Sequence, residues 1–238
     1  MADKTFAGIY PILQTPFTPD GALDEASLRR EVDYCIEAGA HGLVIPAIAS
    51  EFFTLSDAER DRVIAVTVEQ TAGRAPVIAG VTSGSTPVAV ECARGVRGAD
   101  GILALPPYVR RPDNAGILAF FRALAEATSL PIIIQNAQAP MGVPMPLDLV
   151  GRIAREVPGV WYVKEEVPPC GARITALLRD HGSHLQGVFS GWGGIHLVDE
   201  LARGACGCMP SAAFVKPQAQ IYEAFKRGNL DEARKLHA

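Results

Sequence analysis

Eight short apolar runs, each followed by a stretch with helical spacing, constrain this chain more than any other feature. The runs are residues 8–13, 42–45, 75–79, 101–105, 131–135, 160–164, 185–190 and 205–209. They are apolar at successive positions, as strands buried on both faces of a parallel sheet must be. The stretches between them carry helix starts. Asp24 caps a pattern reaching about residue 38, with Leu28, Val32, Cys35 and Ile36 at helical spacing. Ser56 and Glu59 form a capping box. Ser85 and Asp113 open two more helices, and Pro146 sits in a first turn, where its missing N–H costs nothing. Later helical patterns span about 172–180, 195–203 and 216–226. Eight βα units in 238 residues fit the arithmetic of a (β/α)₈ TIM barrel, typically ~250 residues long. A doubly wound open sheet would favour a glycine-rich loop after its first strand, and Leu13-Gln14-Thr15-Pro16-Phe17 is not one. The expectation is an α/β chain with a single TIM-barrel domain over 1–238. The barrel proper covers about 6–227, and a C-terminal helix starts in 229–238.

Composition narrows the class. A net charge of −4 and a pI near 5.7 argue against a general nucleic-acid partner. No apolar run reaches the ~20 residues of a membrane span. The polar start, Met1 to Thr5, leads straight into a strand, so no signal peptide is expected. Five scattered cysteines form no disulfide framework, and a cytoplasmic setting follows as the default. Cys206 and Cys208 lack a second pair at ligand spacing and read as core of the eighth strand, so no metal is expected. His181 and His184 read as loop residues.

Chemistry enters at the sixth run. Val160-Trp161-Tyr162-Val163 ends abruptly in Lys164-Glu165-Glu166. The chain has only five lysines, and Lys164 is the only one between residues 5 and 215. Arginine stays protonated, whereas a lysine amine can attack a carbonyl and form an imine. Active sites of (β/α)₈ barrels lie at the C-terminal ends of the strands. Strand alternation puts Lys164 and Glu166 on one face if the strand continues, with Glu165 turned toward the helices. A 2-oxo acid suits this pair: the iminium lets C3 lose a proton or a C–C bond break. Ser50, Thr54 or loop N–H groups would hold the substrate carboxylate. Glu51 reads as an acceptor for loop N–H groups. Tyr108 reads equally as a site residue and as a contact between subunits.

At these residues the chain resembles the Schiff-base lyases that include dihydrodipicolinate synthase and N-acetylneuraminate lyase. Residues 8–17 resemble the family's opening strand, and Pro46 to Leu55 occupy its glycine-threonine-threonine-glycine-glutamate loop. Leu105-Pro106-Pro107-Tyr108, Val163-Lys164-Glu165 and Phe189-Ser190-Gly191 match the exits of the fourth, sixth and seventh strands. The resemblance implies a covalent imine on Lys164, no external cofactor, a small 2-oxo acid substrate and a homo-oligomer, dimer or tetramer. It also implies helices after the barrel, of which residues 229–238 would be a shortened start.

The departures are specific. Ile48 and Ala49 stand where the family usually has two threonines. Gln135 stands where a proton-relay tyrosine is expected, and the substrate-binding arginine of dihydrodipicolinate synthases falls near Pro140. Gln135-Asn136-Ala137 together with Lys164-x-Glu166 is similar to the branch that dehydrates 2-keto-3-deoxy sugar acids of the L-2-keto-3-deoxyarabonate type. The expected catalytic set is therefore Lys164, Glu166 and Gln135. The expected substrate-binding set is Ala49, Ser50, Glu51, Tyr108, Asn136, Ser190, Gly191 and Met209. The alternatives are a dihydrodipicolinate synthase or pyruvate-dependent aldolase of the same mechanism, and a non-catalytic barrel that binds a metabolite.

Overall fold

A computed structural model describes residues 5–140 and 142–238; the polar start at residues 1–4, with Lys4, lies outside them. Strands β1 (Gly8–Ile9), β2 (Leu43–Ile45), β3 (Val77–Gly80), β4 (Gly101–Ala104), β5 (Ile132–Ala137), β6 (Val160–Glu166), β7 (Gly187–Ser190) and β8 (Gly207–Cys208) alternate with helices. The helices are α1 (Glu25–Glu37), α2 (Asp57–Thr71), α3 (Thr86–Gly95), α4 (Asn114–Ala127), α5 (Leu147–Glu156), α6 (Cys170–His181), α7 (Leu197–Ala202) and α8 (Val215–Lys226), followed by α9 (Leu230–His237). All strand pairs are parallel, in the order β1-β8-β7-β6-β5-β4-β3-β2, and a bridge from Ile12 to Val44 brings β1 against β2. This is the (β/α)₈ barrel that the repeat predicts.

The predicted caps form. Asp24 accepts from Ser27 N at 2.9 Å, Asp113 from Gly116 N at 2.8 Å, and Ser56 and Glu59 bond reciprocally at 2.8 and 3.3 Å. Each satisfies N–H groups that a helix start leaves without a partner. β6 runs two residues past the predicted end at Lys164, so Glu166 is still on a strand. The seventh helix starts two residues later than predicted. Ile195 closes the 3₁₀ turn Trp192–Gly194, its N–H bonding Trp192 O, and His196 stands at the cap of α7 with non-helical φ −121° and ψ 19°.

Aromatic rings fill the barrel below its C-terminal mouth. Phe6 and Tyr162 have centroids 5.2 Å apart, Tyr10 and Phe189 5.3 Å apart, and all four are buried. Burying each such ring contributes about 1.5–3 kcal/mol. Gly42 makes room for one of them: a Cβ there would lie 2.1 Å from Tyr10 Cε1. A barrel plugged at this level can hold a ligand only above the plug.

The β1–α1 connection is held to α1 by Glu31, whose carboxylate accepts Gln14 N at 3.0 Å. Burial pushes that carboxyl up from its ordinary 4.5 to about 7. The folded chain binds this proton more tightly than the unfolded chain does. Its stabilising contribution is full below about pH 4.5 and is lost as pH rises through about 7. Glu31→Gln keeps an acceptor for Gln14 and removes the titration. The variant is expected to match the wild type at pH 4.5 and to exceed it at pH 8 by on the order of 1–2 kcal/mol, or about 2–6 °C in Tm. Melting curves at the two pH values check this; an equal offset at both would contradict it.

Candidate active site

β5 and β6 pair in register, with Gln135 opposite Lys164, Asn136 opposite Glu165 and Ala137 opposite Glu166. Alternation then sorts the side chains. Tyr162 belongs to the barrel plug, so Lys164 and Glu166 stand above it on the same inner face. Lys164 Nζ lies 3.1 Å from Glu166 Oε1, with the two side chains 3% and 14% exposed. Gln135 Nε2 donates to Glu166 Oε2 at 2.6 Å, across a sequence separation of 31. Strand register thus fixes one carboxylate beside one amine.

The β7–α7 connection closes on the same group. Trp192 N donates to Glu166 Oε1 at 3.4 Å, and its indole Nε1 donates to Glu166 O at 2.7 Å. Gly191 lies against the carboxylate: a Cβ there would be 2.3 Å from Glu166 Cγ, so a side chain would drive Glu166 off its position. Trp192 holds φ +51°, a conformation that costs a non-glycine residue of order 1 kcal/mol or more. Gln218 Nε2, from α8, bonds Gly193 O and pins the turn. Trp192 and Gln218 were not visible as site residues in the sequence. The run Gly191-Trp192-Gly193-Gly194 was the available signal, a bulky residue among glycines at a strand exit.

Other expected residues fall elsewhere. Asn136 is turned to the helix layer, where Oδ1 accepts Met145 N at 2.8 Å and Nδ2 donates to Glu165 Oε2 at 2.9 Å. Ser190 is opposite Glu165 and also faces outward, its hydroxyl donating to Glu200. Both corrections have one cause: neighbouring positions on a strand cannot share a face, and Gln135 and Gly191 hold the inner ones. The Ser50 hydroxyl donates to Leu13 O at 2.5 Å and accepts from Ala47 N at 3.0 Å, so it is spent on joining its loop to the chain leaving β1 and not on a substrate carboxylate. Thr54 donates to Glu51 O at 2.8 Å. Glu51 acts there through its main chain, at φ +56° between two 3₁₀ turns, while its side chain is exposed.

Of the remaining three, Ala49 and Tyr108 lie near the mouth and Met209 lies in the barrel interior. Ala49 is exposed on the 3₁₀ turn Ile48–Ser50, and its carbonyl accepts Gln14 Nε2 at 3.4 Å. Tyr108 packs edge-on against Phe52 at 5.7 Å, in an apolar cluster with Leu105, Ala137 and Ile48. Met209 is buried in the barrel interior with Phe189 and Tyr162.

Thiols do not compete with the amine. Burial pushes Cys35 and Cys208 up to about 12 and Cys170 to about 11, so they stay protonated at neutral pH. Among the described residues, no group of three or more His, Cys, Asp or Glu side chains could hold a metal, and no helix is long and apolar enough to cross a membrane.

A (β/α)₈ barrel with a buried strand-end lysine against a carboxylate has the layout of a Schiff-base enzyme. The family model for the Dihydrodipicolinate synthetase family matches residues 5–238. The chain is 36% identical over 233 residues to L-2-keto-3-deoxyarabonate dehydratase of Azospirillum brasilense, covering 95% of this chain and 74% of that one. It is 38% identical over 236 residues to a 4-hydroxy-tetrahydrodipicolinate synthase of Pelobacter propionicus, covering 98% and 80%. Among solved structures, the pyruvate complex of YagE, an E. coli K12 prophage protein of the dihydrodipicolinic acid synthase family, aligns with a TM-score of 0.93 at 26% identity, covering 98% and 80%. Dihydrodipicolinate synthase of Aquifex aeolicus aligns at 0.91 and 28%, covering 98% and 79%. The chain belongs to the dihydrodipicolinate synthetase family of Schiff-base lyases. Enzymes of this family work through a covalent lysine–pyruvate imine without an external cofactor.

Proposed function

We propose that this lyase dehydrates a 2-keto-3-deoxy sugar acid through an imine on Lys164. The observation that carries the reading is the bond from Gln135 to Glu166. An amide cannot relay protons as a phenol can, so the acid/base work passes to the carboxylate that Gln135 orients, 3.1 Å from the amine.

The residues divide the chemistry as follows. Lys164 Nζ adds to the C2 ketone, and water leaves to give an iminium. Glu166 takes a proton from C3, and the C–H electron pair forms an enamine. The enamine re-forms the iminium and expels the C4 hydroxyl, which takes the proton back from Glu166 and departs as water. Hydrolysis of the conjugated iminium frees the amine. The substrate carboxylate meets the N–H groups of Ile48 and Ala49, at the head of a 3₁₀ turn whose own i→i+3 bonds begin at Ser50 N. The apolar cluster of Phe52, Leu105 and Ala137 lies along the β5 side of Glu166, where Ala137 is its register partner.

The same imine would serve a 4-hydroxy-tetrahydrodipicolinate synthase, and the 38% relative carries that name. Gln135 in place of the tyrosine favours dehydration. The deciding measurement is product mass after incubation with 2-keto-3-deoxypentonates of both configurations. A product lighter by one water is expected. Pyruvate and an aldehyde as products would sink the dehydratase reading, as would no reaction with either pentonate together with formation of 4-hydroxy-tetrahydrodipicolinate in a parallel incubation with pyruvate and aspartate 4-semialdehyde.

A further inference from the structure

A second polar network stands back to back with the first, on the outer face of the same two strands. Glu165 is fully buried, and its carboxylate accepts four N–H bonds. Val167 N and Arg173 Nε reach Oε1 at 2.9 and 3.1 Å; Asn136 Nδ2 and Arg173 Nη2 reach Oε2 at 2.9 and 3.4 Å. Arg173 also donates to Met145 O at 2.8 Å, so the network ties α6 to the β5–α5 connection. A buried ion pair is a poor stability device, since apolar side chains of similar volume usually serve as well. Its position suggests a different task.

Lys164 is held by the sheet on both sides, opposite Gln135 on β5 and Phe189 on β7. Glu166 is paired only on the β5 side, because the β6–β7 ladder ends at Glu165 and Ser190. The chain leaves the sheet at the next residue, Val167. On the β7 side Trp192 bonds Glu166 where the ladder has ended, and Glu165 adds a hold from the outer face: it fixes Val167 N just beyond Glu166, and Asn136 just beyond Gln135.

We infer that Glu165, Arg173 and Asn136 form a positioning brace that sets Glu166 and Gln135 for proton transfer at C3 while leaving imine formation at Lys164 nearly untouched. The inference rests on the acid/base role proposed for Glu166. Small displacements of a positioned proton acceptor cost rate far more than they cost binding.

Pyruvate separates the two steps. Borohydride trapping followed by mass spectrometry reads imine formation at Lys164. Exchange of the pyruvate methyl protons in D₂O, followed by proton NMR, reads C3 proton transfer. In Glu165→Gln an amide N–H faces donors on Asn136 or Arg173, and the brace loosens. Trapping is expected to stay within about twofold of the wild type while exchange falls about tenfold or more. Adding Asn136→Asp returns an acceptor opposite that amide and a negative charge beside Arg173. The double variant is expected to exchange at least about threefold faster than Glu165→Gln alone.

A merely structural brace would lower trapping and exchange together, or lower only the melting temperature; either result overturns the inference, as does a double variant that recovers nothing. Should Glu165→Gln fail to fold, Arg173→Gln, at the end of the network where the side chain is 18% exposed, must give the same split. A wild type that traps pyruvate without exchanging its methyl protons would remove the role of Glu166 and the brace with it. Failure of the brace alone leaves exchange intact in the wild type and equal in the variants.

Discussion

Lys164→Arg is expected to yield a folded barrel that takes no label from pyruvate and borohydride and loses at least ~10³-fold in turnover. Arginine preserves the positive charge beside Glu166 and offers N–H donors at the end of a side chain of similar length. What it lacks is a nitrogen lone pair that can add to a ketone, because the guanidinium stays protonated. The substitution therefore separates charge from nucleophilicity. The amine sits 3.1 Å from one carboxylate at the top of an aromatic plug, and the Tyr162 and Phe189 rings beneath it are untouched by the change. The reading fails if the variant still traps pyruvate, or if the wild-type adduct maps to another residue. The neighbouring thiols are not alternative nucleophiles, since burial keeps them protonated.

Glu166→Gln carries the second largest effect, and of a different kind. The carboxylate accepts from Gln135 Nε2 at 2.6 Å and from Trp192 N at 3.4 Å, and pairs with Lys164 Nζ at 3.1 Å. An amide of the same shape has one oxygen for these donors and no basic lone pair for the C3 proton. Imine formation should survive, so borohydride trapping at Lys164 persists. Methyl-proton exchange of pyruvate and dehydration should both fall by about 10²–10⁴-fold, the usual contribution of a positioned acid/base. Unchanged exchange would move the acid/base role to another group. The contrast between the variants is the informative part: one abolishes the covalent step, the other leaves it and abolishes the proton transfer that follows.

Much of this site is legible in the sequence. Lys164 stood out because the body of the chain otherwise uses arginine, and because a buried run delivered it to a strand end. Glu166 followed from alternation, on the condition that the strand ran two residues further, and β6 does so. The same alternation governs Asn136 and Ser190. Each sits next to an inward-facing position, so each had to face the helices. Ser50 could not be judged that way. Its hydroxyl is occupied by Leu13 O and Ala47 N, an arrangement set by how the β2–α2 loop folds back on β1. Trp192 was unreadable as a partner of Glu166 because its backbone conformation and both of its bonds depend on where β7 ends relative to β6.

The sequence by itself determined the barrel and the place of the strand-end amine proposed as nucleophile, because both follow from short-range regularities: the apolar run, the cap, the strand period, one lysine among the arginines of residues 5–215. Tertiary structure alone decided what else meets the Lys164–Glu166 pair. Gln135, Glu166 and Trp192 come together through strand register and the closure of the ring, and Glu165 finds Arg173 and Asn136 on the opposite face for the same reason. Local pattern sets which way a side chain points. Only the way distant segments come together sets what stands opposite it.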